Sequence, residues 1–533
     1  MDALPSNPLE FLRVPPPVLA NRIFCMCAVL PHGPRLLWQI AQSKMRGDGD
    51  AALVLKWLQS VNGHSSSGPS RTLLAPPADG CVRLFGWELS YFSGKIRGFL
   101  RYKAKVAGLR FDEVVATPGV ISDVLFEATK SSAVPQVQLP DGRIVQDSKE
   151  IMDEIEQLYP SGPVLPDGDN RPCQRLVCQI IELLGDEWLL VPAFHWRWAY
   201  SGNGSTSQRM PNTGGDEPPS HREYNELQWG TFLRPDGSDA EKCRTARWLF
   251  DNVMLTEIGV KDGMRCLGVS WDTVAAWEAS CKNVLQIFEA HLAVHDYVLG
   301  GKPSTADFGL LGPLYAHLYK DPVPGEMIRR QFPLVAKWIV RCHDGLVGRS
   351  DNGDWLPDDG IPESILPMLE VFFSEMWPVL QSSCHIISRY LASTHNRSNP
   401  LPGKSFSASH PDQMRSGPLV HNFTLPFDKS GRPGGTSHGR RMVLPYQVWM
   451  LQRLEPTIQQ HSTEVGKLLR RVAGGMPLLD LSTLLDGCRV RKQGGRIYAL
   501  NGANPTAARS WTPVWLVLAC LALYIVKRIA AAT

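Results

Sequence analysis

The sequence predicts a small α/β domain, a larger all-helical domain behind it, and a C-terminal helix that crosses a membrane. Three observations predict this. Residues 80–162 read strand–helix–strand–helix–strand–strand–helix in about 80 residues. Residues 171–345 carry apolar side chains at helical spacing with little strand pattern. The run WTPVWLVLACLALYIV, Trp511 to Val526, holds no charged residue.

The α/β domain opens with CVRLF, a short β-branched and apolar run that suits a strand. Gly86 ends it, and Ser90, Tyr91, Phe92 and Ser93 follow in a row. After Gly94, Ile96, Phe99 and Leu100 fall on one helical face, with Lys95, Arg97 and Arg101 around them. Two hydroxyls and a phenol therefore stand at a helix start. The first backbone N–H groups there lack partners, and the helix dipole favours negative charge. Such a position can hold an anion, including a thiolate.

RFDEVVAT (110–117) reads as the second strand and VISDVLFEATK (120–130) as the second helix. VPQVQL (134–139) is a strand entered through Pro135, Pro140-Asp-Gly142 is a turn, and RIVQ (143–146) is the returning strand. Asp147 and Ser148 then head a helix whose apolar face is Ile151, Ile155 and Leu158. A proline at the head of a central strand removes a ladder donor. A cis Val134–Pro135 bond would accommodate it and turn the Val134 backbone outward; an ordinary edge-strand proline would serve equally.

In order and spacing, the strand, S-Y-F-S-G-K-I-R, V-P-Q-V and Q-D-S-K-E-I together resemble the thioredoxin-like N-terminal domain of the glutathione transferases. The resemblance implies a glutathione transferase that conjugates or reduces small apolar electrophiles, with glutathione as co-substrate. It implies Ser90 as the hydroxyl that stabilises the thiolate, with Tyr91 and Ser93 as alternatives, since Tyr91 replaces the Pro common in that motif. It implies a cis Val134–Pro135 bond whose Val134 backbone takes the cysteinyl part of glutathione. Asp147 and Ser148 would grip the γ-glutamyl end. The alternative reading is a non-catalytic, membrane-tethered scaffold or adaptor on the same fold, and a homodimer is compatible with either.

The helical region extends the resemblance. Ser304 and Asp307 have capping-box spacing before an apolar helix, as in the transferase C-terminal domain, and are read as structural. The resemblance has motif-level detail from 81 to 345. Residues 346–505 read as a mostly helical extension with a loop-rich stretch at 391–439, rich in Ser, Pro, His and Gly. Ser201–Ser220 is a Gly/Ser/Pro-rich insertion, and residues 1–79 are an extension ending in a linker.

Length and composition bound the rest. A chain of 533 residues suits two or three domains. Its apolar fraction of 43% and charged fraction of 20% are those of a globular protein. A net charge of +3 without a basic block argues against nucleic acid as a partner. The 12 cysteines are scattered, with Cys25 and Cys27 the one close pair, which suits a reducing compartment. Asn203, Asn396 and Asn422 stand in glycosylation sequons, read as chance matches. His291 and His295 lie four apart but lack a third ligand, so no metal is expected. Trp188, Trp196 and Trp198 read as packing between helices rather than a cleft lining. LLDGCRVRKQGGRIYAL reads as a hairpin around Gly494-Gly495. Arg509, Lys527 and Arg528 flank the uncharged C-terminal run, and 510–528 reads as a tail anchor that leaves the main domains facing the cytosol; the alternative is a terminal helix buried in the protein, which makes the chain cytoplasmic.

Overall fold

The computed structural model describes residues 75–77, 80–201, 221–255, 264–393, 397, 400–402, 419–493 and 495–500. The insertion at 202–220, most of the N-terminal extension, part of the stretch read as loop-rich, and the segment 510–528 lie outside the described residues.

The first unit is a four-stranded mixed sheet in the order β2-β1-β3-β4. β1 (Val82–Gly86) pairs in parallel with β2 (Phe111–Val115) and antiparallel with β3 (Gln136–Gln138), which pairs antiparallel with β4 (Ile144–Gln146). α1 (Tyr91–Ala107) makes the crossover between β1 and β2. A second crossover, α2, is built from Pro118–Val120, the π-helical turn Ile121–Leu125 and Phe126–Thr129. α3 (Ser148–Leu158) follows β4. Val82, Leu84, Val137 and Leu139 are buried against α1 and α3, through Phe99, Leu100, Ile151 and Ile155. Phe85 belongs to a separate small core with Ala116, Ile121, Val124, Leu125 and Phe232.

The helical unit begins with α4 (Pro172–Glu187) and α5 (Leu190–Ala199). A helical hairpin follows, α6 (Arg222–Leu233) and α7 (Asp239–Leu249), the latter started by a capping box between Ser238 and Glu241. α8 (Val274–Leu292), α9 (Thr305–Leu311), α10 (Pro322–Gln331) and α11 (Pro333–His343) complete it. Asp307 accepts hydrogen bonds from the Ser304 backbone and hydroxyl at 2.9 and 2.8 Å, and from Val298 N and Trp338 Nε1. These two residues hold the start of α9, as expected.

α4 and α9 cross backbone to backbone. A Cβ at Gly185 would lie 2.5 Å from the Gly309 carbonyl oxygen, and one at Gly309 would lie 2.7 Å from the Glu182 Cα. Glycine on both helices is what permits this approach. Trp188, Trp196 and Trp198 are all buried; Trp188 packs 4.7 Å from Trp277 and donates to Glu375 at 2.9 Å. His291 is bonded to Ser364 and to the Tyr297 carbonyl, and His295 to Asp351.

Residues beyond 345 fold back over both units. α12 (Leu366–Val371) and α13 (Trp377–Leu391) lead to a β-hairpin, β5 (Val420–Phe427) and β6 (Pro433–Met442). This hairpin lies partly within the stretch expected to be loop-rich. In β5, His421, Phe423 and Leu425 alternate inward, with Phe423 5.5 Å from Trp277. The glycines and serines of β6 had hidden that period. α14 (Pro445–Leu451), α15 (Glu455–Gln460), α16 (Ser462–Leu469) and α17 (Leu481–Leu485) follow. A last hairpin, β7 (Val490–Gln493) and β8 (Arg496–Ala499), occupies the position read as a hairpin.

One expectation of the fold class is corrected. No helix among the described residues is long and apolar enough to cross a membrane, so the transmembrane helix, and with it the membrane as a partner and location, is without support.

Candidate functional site

Strand register gathers the expected site residues at one end of the sheet. Phe85 pairs with Gln136, and Gln136 with Gln146. The next residues in the same direction are Gly86, Pro135 and Asp147. The loop to Ser90, the Val134–Pro135 bond and the start of α3 therefore lie side by side. The Val134–Pro135 bond is cis.

Ser90 is the N-cap of α1. Its backbone is extended, and its hydroxyl oxygen accepts from the Ser93 N–H at 3.3 Å. As an acceptor in that bond, the hydroxyl keeps its own proton for another partner. The other two hydroxyls point elsewhere. Tyr91 donates to the Gly185 carbonyl at 2.6 Å, deep against α4, and its ring lies 5.3 Å from that of His317. Burial, with Asp186 and Glu187 nearby, pushes its phenol well above the ordinary value. Ser93 is fully buried behind the end of β1, where a Cβ on Gly86 would come within 2.8 Å of its hydroxyl oxygen.

The three residues before Ser90 are each anchored. Trp87 packs 5.0 Å from Trp229 and 4.9 Å from Phe232 of α6. Glu88 accepts from Tyr315 at 2.6 Å and pairs with Lys320 at 3.0 Å and Arg97 at 3.3 Å. Burial alone would raise its carboxyl, but the Tyr315 hydrogen bond and the two cations hold it below the ordinary value. The Leu89 carbonyl accepts from Arg197 Nη1 at 2.7 Å. Arg197 also grips buried Asp321 through Nε at 2.8 Å and Nη2 at 3.0 Å, and reaches the Ala316 carbonyl. A fork of this kind orients as well as binds. These anchors were not among the expected residues; Arg197 is an unremarkable member of the run FHWRW, and its role appears only when α5 meets the β1–α1 loop.

Val134 is half-buried and makes no hydrogen bond to another described residue through its backbone. At the third position, Asp147 adopts φ 95°, a region where side-chain-bearing residues are uncommon. Its carboxylate caps α3 by accepting from Lys149 N at 2.9 Å. It also accepts from the Tyr446 hydroxyl at 3.0 and 2.9 Å, and Lys492 lies 3.7 Å away. Ser148 is buried as the first helical residue. Neither Tyr446 nor Lys492 was expected at the site.

α1 itself is tied to the helical unit by charge. Lys95 is fully buried and bonds Glu182 at 2.9 Å and Asp186 at 2.6 Å; Lys149 reaches Glu182 at 3.3 Å. Lys103 donates to the carbonyls of Tyr159, Ser161 and Gly162 and pairs with Glu156 at 2.6 Å. Buried cations need this degree of pairing to be tolerated.

Comparisons with known proteins agree with this architecture. Residues 84–164 match the family model for the glutathione S-transferase N-terminal domain, and residues 273–344 the one for the C-terminal domain. No curated protein matches the chain. Similar solved structures include a glutathione S-transferase from Rhodospirillum rubrum F11, at 15% identity over 49% of this chain and 87% of that one, with a TM-score of 0.29. A β-etherase from Sphingobium aligns at 19% identity over 49% and 93%, with a TM-score of 0.29. A Tau class glutathione S-transferase from mango, Mangifera indica, aligns at 16% identity over 49% and 88%, with a TM-score of 0.28. At these TM-scores the structural likenesses carry no weight of their own. The two family models, met in order along one chain, match its α/β unit and the later part of its helical unit, and support a likeness to the glutathione S-transferase superfamily over those residues.

Proposed function

We propose that the end of the sheet between Ser90 and Asp147 binds glutathione, and that the chain works as a glutathione transferase acting on small apolar electrophiles. The observation that carries this reading is the spacing of three complementary features in one row. A free hydroxyl proton at Ser90, a Val134 backbone without a partner among the described residues and a helix-capping carboxylate at Asp147 follow the same end of three neighbouring strands. Adjacent strands lie about 4.8 Å apart, so the ends of β1, β3 and β4 that carry these features span roughly 10 Å. That is the reach of about three extended residues.

Each residue then has a task. Val134 would pair its N–H and C=O with the cysteinyl backbone. Asp147 would take the α-ammonium of the γ-glutamyl group, and the hydroxyl of Ser148 its carboxylate. The Ser90 hydroxyl would donate to sulfur. A free thiol has a pKa near 8.5, and a donor at a helix N-terminus favours the thiolate. Glutathione supplies the nucleophilic sulfur; the protein holds it, lowers its proton affinity and presents it to the electrophile.

One observation favours a second reading, a non-catalytic scaffold on the same fold. Asp147 is already engaged by Tyr446 and Lys492. Turnover of an aryl halide separates the two. The enzyme reading expects measurable conjugation, reduced at least about tenfold in Ser90→Ala, with the pH midpoint of kcat/KM displaced upward. Retention of glutathione without turnover of several electrophiles would leave the scaffold reading standing.

A further inference from the structure

α3 carries a line of acids, Asp147 at its cap, then Glu150 and Asp153, and the C-terminal part of the chain lays a matching line of donors upon it. Lys492 of β7 bonds Glu150 at 2.8 Å and lies 3.7 Å from Asp147. Arg453 pairs with Asp153. Tyr446 donates to Asp147, and its ring lies 5.1 Å from that of Trp449, over which both Lys492 and Arg453 are placed. Lys492 itself is only 6% exposed along its side chain. Gln452 exchanges two hydrogen bonds with Val490, joining the α14 side of this assembly to β7.

We infer that residues 445–499 form a strap that competes with the ligand for Asp147, the Lys492 ammonium standing in for the α-ammonium of a γ-glutamyl group. This rests on the reading of Asp147 given under Proposed function and adds a regulatory layer to it. The Asp147 carboxylate already accepts from Lys149 N and Tyr446 and faces Lys492, so little acceptor capacity is left. Two cations cannot both sit against Asp147 and Glu150 without repulsion, so ligand entry requires Lys492 to swing away. Binding is then weakened by whatever the Lys492 contacts contribute, and anything that draws the Lys492 side chain away from Asp147 strengthens it, while the strap itself stays packed in the core through Val448, Leu451 and Val490.

The test is isothermal titration of the full chain with reduced glutathione and with an analogue in which hydrogen replaces the α-amino group. Lys492→Met is expected to bind glutathione about three- to tenfold more tightly than the parent, the size of one partly buried charge-assisted contact. Tyr446→Phe should shift affinity in the same direction by less. Neither change should improve binding of the deaminated analogue, which brings no ammonium to compete. Equal or weaker binding of glutathione by Lys492→Met, at unchanged thermal midpoint, overturns the strap while leaving glutathione binding intact. An equal gain for both ligands overturns competition for the ammonium. Failure of parent and both variants to bind glutathione at millimolar concentration removes the site itself, and the strap with it.

Discussion

The Arg197 guanidinium donates to the carbonyl of Leu89 over 2.7 Å, one residue ahead of the Ser90 cap. The same group is the partner of Asp321, which is fully buried. A side chain from α5 thus fixes the loop that aims the candidate nucleophile-stabilising hydroxyl, and does so from the far side of the domain boundary.

Replacing Arg197 with Met should therefore act twice. It strands Asp321 in the interior, at a cost of about 3–5 kcal/mol in urea unfolding. It also frees Leu89, so turnover should fall beyond what lost folded protein explains. Arg197→Lys keeps the charge but not the fork, and should recover part of the stability and little of the rate. A loss of under about 1 kcal/mol for Arg197→Met would show that Asp321 is compensated by other means.

Glu375 gives a pH signature. It is buried, accepts from Trp188 and Ser280 at 2.9 and 2.6 Å, and burial raises its carboxyl to about 7. The folded state therefore holds this proton more tightly than the unfolded chain, whose carboxyl titrates near 4.5. Its contribution is full below the unfolded value and is lost as pH rises through about 7. Stability should fall over that window by up to about 1.4 kcal/mol per pH unit from this group. Glu375→Gln keeps both acceptor bonds without the ionisation, so the variant's unfolding free energy should show a shallower decline. Identical slopes for the two proteins would exclude Glu375 as their source.

The crossing of α4 and α9 predicts a steric penalty. Gly185→Ala places a methyl 2.5 Å from the Gly309 carbonyl oxygen, which is backbone and cannot turn aside. The helices must separate, at about 1–3 kcal/mol. Because Gly185 also provides the acceptor for Tyr91, the same change should loosen the start of α1. Denaturant midpoints would register the first effect and hydrogen exchange over residues 91–95 the second. A neutral result in both would mean that the crossing is wider than its geometry implies.

Local pattern carried much of this architecture. The strand runs, the Pro140–Gly142 turn, the Ser90 and Asp147 helix starts and the Ser304–Asp307 cap all depend on residues within a few positions of one another, and the sequence displays such signals directly. What it concealed is long-range. Lys95 reads as part of the polar surround of an amphipathic helix, and the burial of Lys103 is equally unannounced, because periodicity reports which side of a helix is apolar and not how many layers will cover the other side. Here α4 and the segment after α3 cover it, and the cations are buried in ion pairs and hydrogen bonds. β5 and β6 were obscured by glycine, serine and proline, which normally mark turns. Nothing near Asp147 in sequence announces Tyr446 or Lys492, which arrive from separations of 299 and 345 residues.

That separation has a consequence during synthesis. A ribosome adds about 5–20 residues per second, so the acidic head of α3 emerges roughly 15 to 60 s before Tyr446 is made. Through that interval the α/β unit can fold with Asp147 and Glu150 facing water, and the nascent chain meets cellular thiols before its own lysine can reach them.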